Sequence, residues 1–129
     1  MAVTAIRSIR NSNGDSYFVK NNENPNDTGG PGKSLGVASG QTVPCNMWIP
    51  WCTSEADFEG GHFIIMSPVA FNEVPVVFVI WQEGDYVRYS KDGLFHPNGD
   101  LVPGHASVGG DHDVQIVGLN KFDADLVLY

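Results

Sequence analysis

Apolar and polar residues alternate with a period of two along much of this chain, and that pattern predicts strands rather than helices. Thr4 to Arg10 and Asp15 to Lys20 are β-prone runs on either side of Asn11-Ser12-Asn13-Gly14, an arrangement expected to fold as a hairpin. Arg7 and Arg10 stand among isoleucines, which suits a strand with one wet face. A short strand is expected over Ser34 to Ala38, with a turn at Ser39-Gly40. His62 to Met66 is an apolar run. Val76-Val77-Phe78-Val79-Ile80-Trp81 gives the strongest strand signal, and its unbroken apolarity suits burial on both faces. Glu83-Gly84 is expected to turn it into Asp85 to Ser90, with Tyr86, Arg88 and Ser90 on one face and Asp85, Val87 and Tyr89 on the other. The chain closes with a further hairpin, Val114 to Leu119 turning at Asn120-Lys121 into Phe122 to Tyr129. There Phe122, Ala124, Leu126 and Leu128 share a face opposite Asp123 and Asp125.

One helix start is visible. Thr53 or Ser54 can cap it, acidic residues follow in its first turn, and Gly60-Gly61 ends it within about a turn. The eight or nine short strands, with no internal repeat and no linker, predict an all-β fold. The architecture expected is a single antiparallel β-sandwich or jelly roll spanning residues 1–129. A β-trefoil is the alternative, although no threefold repeat supports it.

The densest apolar surface lies in Val43-Pro44-Cys45-Asn46-Met47-Trp48-Ile49-Pro50-Trp51-Cys52, which holds both cysteines and two of the three tryptophans. Its prolines each remove a ladder donor, so it is not an ordinary central strand. If it were extended, Cys45 and Cys52 would lie about 23 Å apart at ~3.3 Å per residue. A bridge between them therefore requires a reversal, for which Ile49-Pro50 is the plausible turn; free buried thiols are the favoured reading. Parity also places Trp48 and Trp51 on opposite faces. Trp51 is the choice for the outside, and Trp81, at the end of the apolar strand, is expected in the core.

Composition narrows the partner. The formal charge is −8, with only seven Lys and Arg, which argues against nucleic acid and against polybasic attachment to anionic lipid. No run approaches the ~18 apolar residues of a membrane span, and Met1 to Arg7 lacks a signal-peptide core. A cytoplasmic protein, or one exported by a non-classical route, is expected on that basis. Gly32-Lys33-Ser34 imitates the end of a phosphate-binding loop, but Asp27 stands where that motif needs glycine.

Catalytic constellations are lacking: there is no Gly-x-Ser-x-Gly elbow, no His-Glu-x-x-His helix and no Cys-x-x-Cys pair. A binding role without catalysis is expected. Asp111-His112-Asp113 and His105 offer metal ligands, and the Asp-rich loops could hold calcium. Neither set matches a defined spacing, so no cofactor is expected and these read as turn residues.

The combination that does point to a ligand is aromatic side chains with short polar groups on loop-like segments. A flat ring packs on the C–H face of a sugar while Asp, Asn and His fix its hydroxyls. Trp48, Trp51, Tyr86 and Tyr89 supply rings; His96, Asn98, Asp100, His105 and Asp111 supply hydrogen-bonding groups. The expectation is a lectin-like protein that binds a glycan or small sugar. Two alternatives stand beside it. The Met47-to-Trp51 tip could enter a zwitterionic lipid interface. The Val76–Trp81 strand could instead serve as the interface of a homo-oligomer.

Overall fold

The computed structural model describes residues 4–23, 34–69, 76–97, 99–104, 107 and 109–129. Its strands are β1 (Thr4–Asn11), β2 (Tyr17–Asn21), β3 (Leu35–Val37), β4 (Thr42–Trp48), β5 (Ile64–Pro68), β6 (Phe78–Glu83), β7 (Tyr86–Ser90), β8 (Asp100–Leu101), β9 (Gly110–Asn120) and β10 (Asp123–Leu128). The helix α1 (Glu55–Glu59) lies between β4 and β5. Four strands form one sheet in the order β10-β9-β1-β4, and six form the other in the order β3-β2-β5-β6-β7-β8. Every pairing is antiparallel except β1 with β9. The fold is an all-β sandwich as expected, and its two open sheets set the trefoil aside.

The core forms where alternation turns the apolar positions inward. Ile6, Ile9, Met47, Val114, Ile116, Leu126 and Leu128 come from the four-stranded sheet. Tyr17, Val19, Ile64, Met66, Phe78, Ile80, Val87 and Tyr89 come from the six-stranded one. Each such fully buried aliphatic or aromatic side chain contributes on the order of 1.5–3 kcal/mol relative to its exposed state.

The first expected hairpin does not form. β1 and β2 belong to different sheets, so residues 12–16 carry the chain across the sandwich instead of reversing it. Side chains satisfy this crossover. Asn11 Nδ2 donates to the Asp15 and Val37 carbonyls at 2.8 and 3.0 Å, and its Oδ1 accepts from the Asn13 amide at 2.9 Å. Asn13 Nδ2 donates to the Val117 and Asn120 carbonyls at 3.1 and 3.0 Å. The asparagines therefore act as surrogate backbone partners.

The other two hairpins form, each with its turn one residue later than expected. Gly84-Asp85 joins β6 to β7, with Gly84 at φ 60°, a conformation glycine adopts without steric cost. Lys121-Phe122 joins β9 to β10. The register shift beside Asp123 pairs Ala124 with Gly118 and leaves Leu119 as the extra residue. Gly118 has φ 106°, and a Cβ there would meet the Asp123 carbonyl oxygen at 2.0 Å. The same shift puts Phe122 in the turn, 47% exposed, and not on the buried face with Ala124, Leu126 and Leu128.

β6 is buried on both faces, and the reason is a second, smaller core. Phe78 and Ile80 point into the sandwich, while Val79 and Trp81 point outward against Cys52, Phe58, Phe63, Ile65 and Phe95. A five-residue helix does not persist alone; α1 is held by Phe58, which stacks on Phe63 at 4.3 Å and meets Trp81 edge-on. Ser54 is its N-cap, accepting from the Asp57 amide, and Asp57 Oδ2 accepts in return from the Thr53 amide and hydroxyl. Because β6 is central and covered on both faces, the Val76–Trp81 run is not the exposed interface that an oligomer would need.

Candidate functional site

The tryptophans divide by geometry. Trp81 is fully buried, as expected, whereas Trp48 and Trp51 are 60% and 37% exposed. Both of the latter reach solvent, with Trp48 the more open, which reverses the expected order. β4 is an edge strand, and its outward positions are Thr42, Pro44, Asn46 and Trp48, with Val43, Cys45 and Met47 turned to the core. An edge tolerates Pro44 because the missing N–H can face away from the ladder. Past Ile49-Pro50 the chain does not reverse; it crosses to the other sheet, where Trp51 bridges Gln82 and the Cys52 amide donates to the Gln82 carbonyl. Cys45 and Cys52 are not bridged to each other. The Met47-to-Trp51 segment is no projecting apolar tip, since Met47, Ile49 and Pro50 are buried.

The loop residues expected to bind a sugar are only partly assembled. Tyr89, His96 and Asp100 line a cleft of about 440 Å³ together with Ser90, Lys91, Asp92 and Gly99. His96 Nε2 lies 2.7 Å from Asp92 Oδ2, and the Leu94 amide donates to Asp92 Oδ1. Burial pushes the Asp92 carboxyl up, but hydrogen bonds from His96, the Leu94 amide and Ser90 outweigh it and hold the group below its ordinary value. Tyr89 is not an open stacking surface. Its ring is 5% exposed, stacked on Phe78, and its hydroxyl donates to Asp125 Oδ1 at 2.6 Å. Burial first, and then Asp125, raise that phenol well above its ordinary value. Asn98 and His105 lie outside the described residues.

Asp111 is elsewhere, at the start of β9. Its carboxylate pairs with Arg7 Nε at 3.0 Å, and Asp113 accepts from the Ser8 hydroxyl at 2.7 Å. His112 Nδ1 and Nε2 face the Tyr129 and Gly109 carbonyls. These three are strand residues engaged with protein groups and not the turn residues expected. Among the described residues no cluster of three or more His, Cys, Asp or Glu is placed to hold a metal ion.

A second groove, of about 500 Å³, runs over the outer face of the four-stranded sheet and is lined by Ser8, Arg10, Thr42, Asp113, Val114, Gln115 and Tyr129. Register explains why these side chains meet. Arg10 pairs with Thr42 on one side and Gln115 on the other; Ser8 pairs with Pro44 and Asp113; Ala5 pairs with Trp48 and Asp111. Tyr129 and Asp113 exchange both backbone hydrogen bonds, which sets the tyrosine beside the Ser8–Asp113 row. Outward side chains therefore stand in three successive rows across the sheet. The polar groups are already fixed: Gln115 donates to Ser12 Oγ at 2.6 Å and accepts from the Tyr129 hydroxyl, and Arg7 Nη1 donates to Asn46 Oδ1 at 2.6 Å. Tyr129 itself is 54% exposed.

Sequence reasoning missed Ser8, Arg10, Thr42, Gln115 and Tyr129. The period-two pattern marks them as outward, but only the register of distant strands brings them together. The class so defined is a two-sheet β-sandwich with a polar, aromatic-edged groove on one outer face. No family model, curated protein or solved structure matches the chain. Among the described residues no helix is long and apolar enough to cross a membrane.

Proposed function

We propose that this chain is a carbohydrate-binding protein without catalytic function, and that its sugar site is the groove on the outer face of the four-stranded sheet. The observation that carries the reading is the exposed Tyr129 ring beside Asp113, Gln115 and Arg10, the first two already held by neighbouring side chains. A tyrosine offers a large, rigid, amphipathic surface to the C–H face of a sugar at small entropic cost. The fixed carboxylate and amide then meet hydroxyls without first being ordered, with the Arg10 guanidinium beside them. The cleft lined by His96 and Asp100 is the second location, favoured by the convergence there of Tyr89, His96 and Asp100, but it lacks an open ring.

The lipid-interface reading has less to rest on, because three of the five residues of the apolar segment are buried. A glycan array on the purified protein tests the proposal. Specific binding is expected, weakened about tenfold by Gln115→Ala, equivalent to ~1.4 kcal/mol for one lost bonding group. Asp100→Ala distinguishes the two locations, since a greater loss from that substitution moves the site to the cleft. A folded sample that retains no glycan while its Trp emission shifts on adding zwitterionic vesicles would give the protein to lipid instead. Should weak sites be multiplied by self-association, avidity would rise steeply on a clustered array.

A further inference from the structure

The groove accounts for two of the three outward rows on the four-stranded sheet; the third, Trp48–Ala5–Asp111, continues the same face. Ala5 is the small residue between its two larger neighbours, and Trp48 is 60% exposed at the far corner from Tyr129. From Trp48 to Tyr129 the path crosses three strand spacings and two residues along β9. At ~4.8 Å per spacing and ~3.3 Å per residue, that places the two Cα atoms about 16 Å apart. Between them lie Arg7, Asn46 and Asp111 on one side and Ser8 and Asp113 on the other, joined in pairs by hydrogen bonds or ion pairs.

Charge on this face differs from the rest of the molecule. Along the three rows Arg7 and Arg10 offset Asp111 and Asp113, two against two, on a chain whose formal charge is −8; Asp123 and Asp125 stand outward only further along β10. A locally neutral strip carrying hydroxyl, amide and paired charged groups is suited to an uncharged polyhydroxyl ligand. Two exposed rings at opposite ends are spaced too far apart for one pyranose to touch both.

Resting on the carbohydrate reading above, we infer that the ligand is an extended, neutral oligosaccharide chain lying diagonally across the four-stranded sheet, with Tyr129 stacking one sugar unit and Trp48 another further along. The two rings then act as tethered subsites. Occupying one raises the effective concentration of the chain at the other, so affinity grows with chain length until both are covered.

Calorimetric titration of the intact protein with two neutral series, cello-oligosaccharides and chito-oligosaccharides from one unit to six, tests this, with oligogalacturonides as the anionic comparison. In the series that binds, affinity is expected to rise by about tenfold or more between the shortest and longest members. Trp48→Ala is expected to flatten that rise, and its thermal melt checks that this exposed substitution leaves the fold intact. Equal affinity for one unit and six, or a length dependence unchanged by Trp48→Ala, overturns the extended-chain inference while leaving the carbohydrate reading standing. Tighter binding of the anionic series overturns the neutral assignment. Absence of binding in every series, together with a blank glycan array, defeats the carbohydrate reading itself. A concentration-dependent dimer that shields Trp48 from iodide quenching gives the face to a second copy of the chain and overturns the inference by that route.

Discussion

Replacing Asn13 by alanine tests the crossover that stands where a hairpin was expected. Asn13 is 1% exposed, and its side chain makes three hydrogen bonds: to the Val117 carbonyl at 3.1 Å, to the Asn120 carbonyl at 3.0 Å, and from the Asp15 amide at 2.9 Å. It thus ties the segment between β1 and β2 to the β9–β10 hairpin, across more than a hundred residues of chain. Each neutral hydrogen bond contributes about 1 ± 0.5 kcal/mol net, so the three together amount to about 3 kcal/mol. The Asn11-to-Asn13 amide bond survives the substitution and is not counted. For a chain of this size, between the surveyed classes, that corresponds to a melting temperature lower by roughly 10–15 °C.

Urea titration followed by tryptophan fluorescence measures the change, with an unchanged slope showing that the denatured state is the same. Asn13→Asp is the companion variant. It preserves shape and the acceptor for Asp15 but turns an oxygen toward two carbonyls, so it is expected to cost at least as much as alanine near neutral pH. A loss below about 1 kcal/mol in Asn13→Ala, or an innocuous Asn13→Asp, would refute the claim that this side chain holds the crossover.

Two further outcomes follow from buried titrating groups. Burial, with the charges of Asp57 and Glu83 adding to it against the opposing Ser54 hydrogen bond, pushes the Cys52 thiol up to about 11. At pH 8 native protein should therefore alkylate at partly exposed Cys45, while Cys52 reacts only on unfolding; mass-spectrometric mapping that finds both labelled at one rate would contradict this. Burial and, secondarily, Asp15 raise the Tyr17 phenol to about 12. Because the folded value lies above the unfolded one near 10, this contribution is complete below pH 10 and lost as pH rises toward 12. Alkaline denaturation should be cooperative with tyrosinate absorbance, and Tyr17→Phe should reduce the pH-dependent part of the stability loss above pH 10.

Trp81 and the two-sided burial of β6 were legible from the unbroken apolar run, and a helix cap at Thr53 or Ser54 from the acidic first turn, the structure choosing Ser54. Such features depend on neighbours in sequence, where period and capping chemistry act directly. The exposure of Trp48 was not legible, because it depends on β4 being an edge strand, and strand order is a long-range property. Phe122 was misplaced for a related reason: the β9–β10 turn falls at Lys121-Phe122, one residue later than expected, so Phe122 is a turn residue while Ala124, Leu126 and Leu128 keep the inward face.

What the sequence by itself determined, then, is the all-β class, the two-sided burial of β6, the inward set Ala124, Leu126 and Leu128 of β10, and the net acidic charge. What only tertiary structure decided is which outward residues stand side by side. Ser8, Asp113 and Tyr129 are scattered from one end of the chain to the other, and they meet because β1 is inserted between β4 and β9 with β10 beyond. Alternation has a period of two in any strand and says nothing about which strand lies beside it. That choice is made by packing both sheets around one shared core, and the candidate sugar groove is formed on the opposite side of the four-stranded sheet from that core.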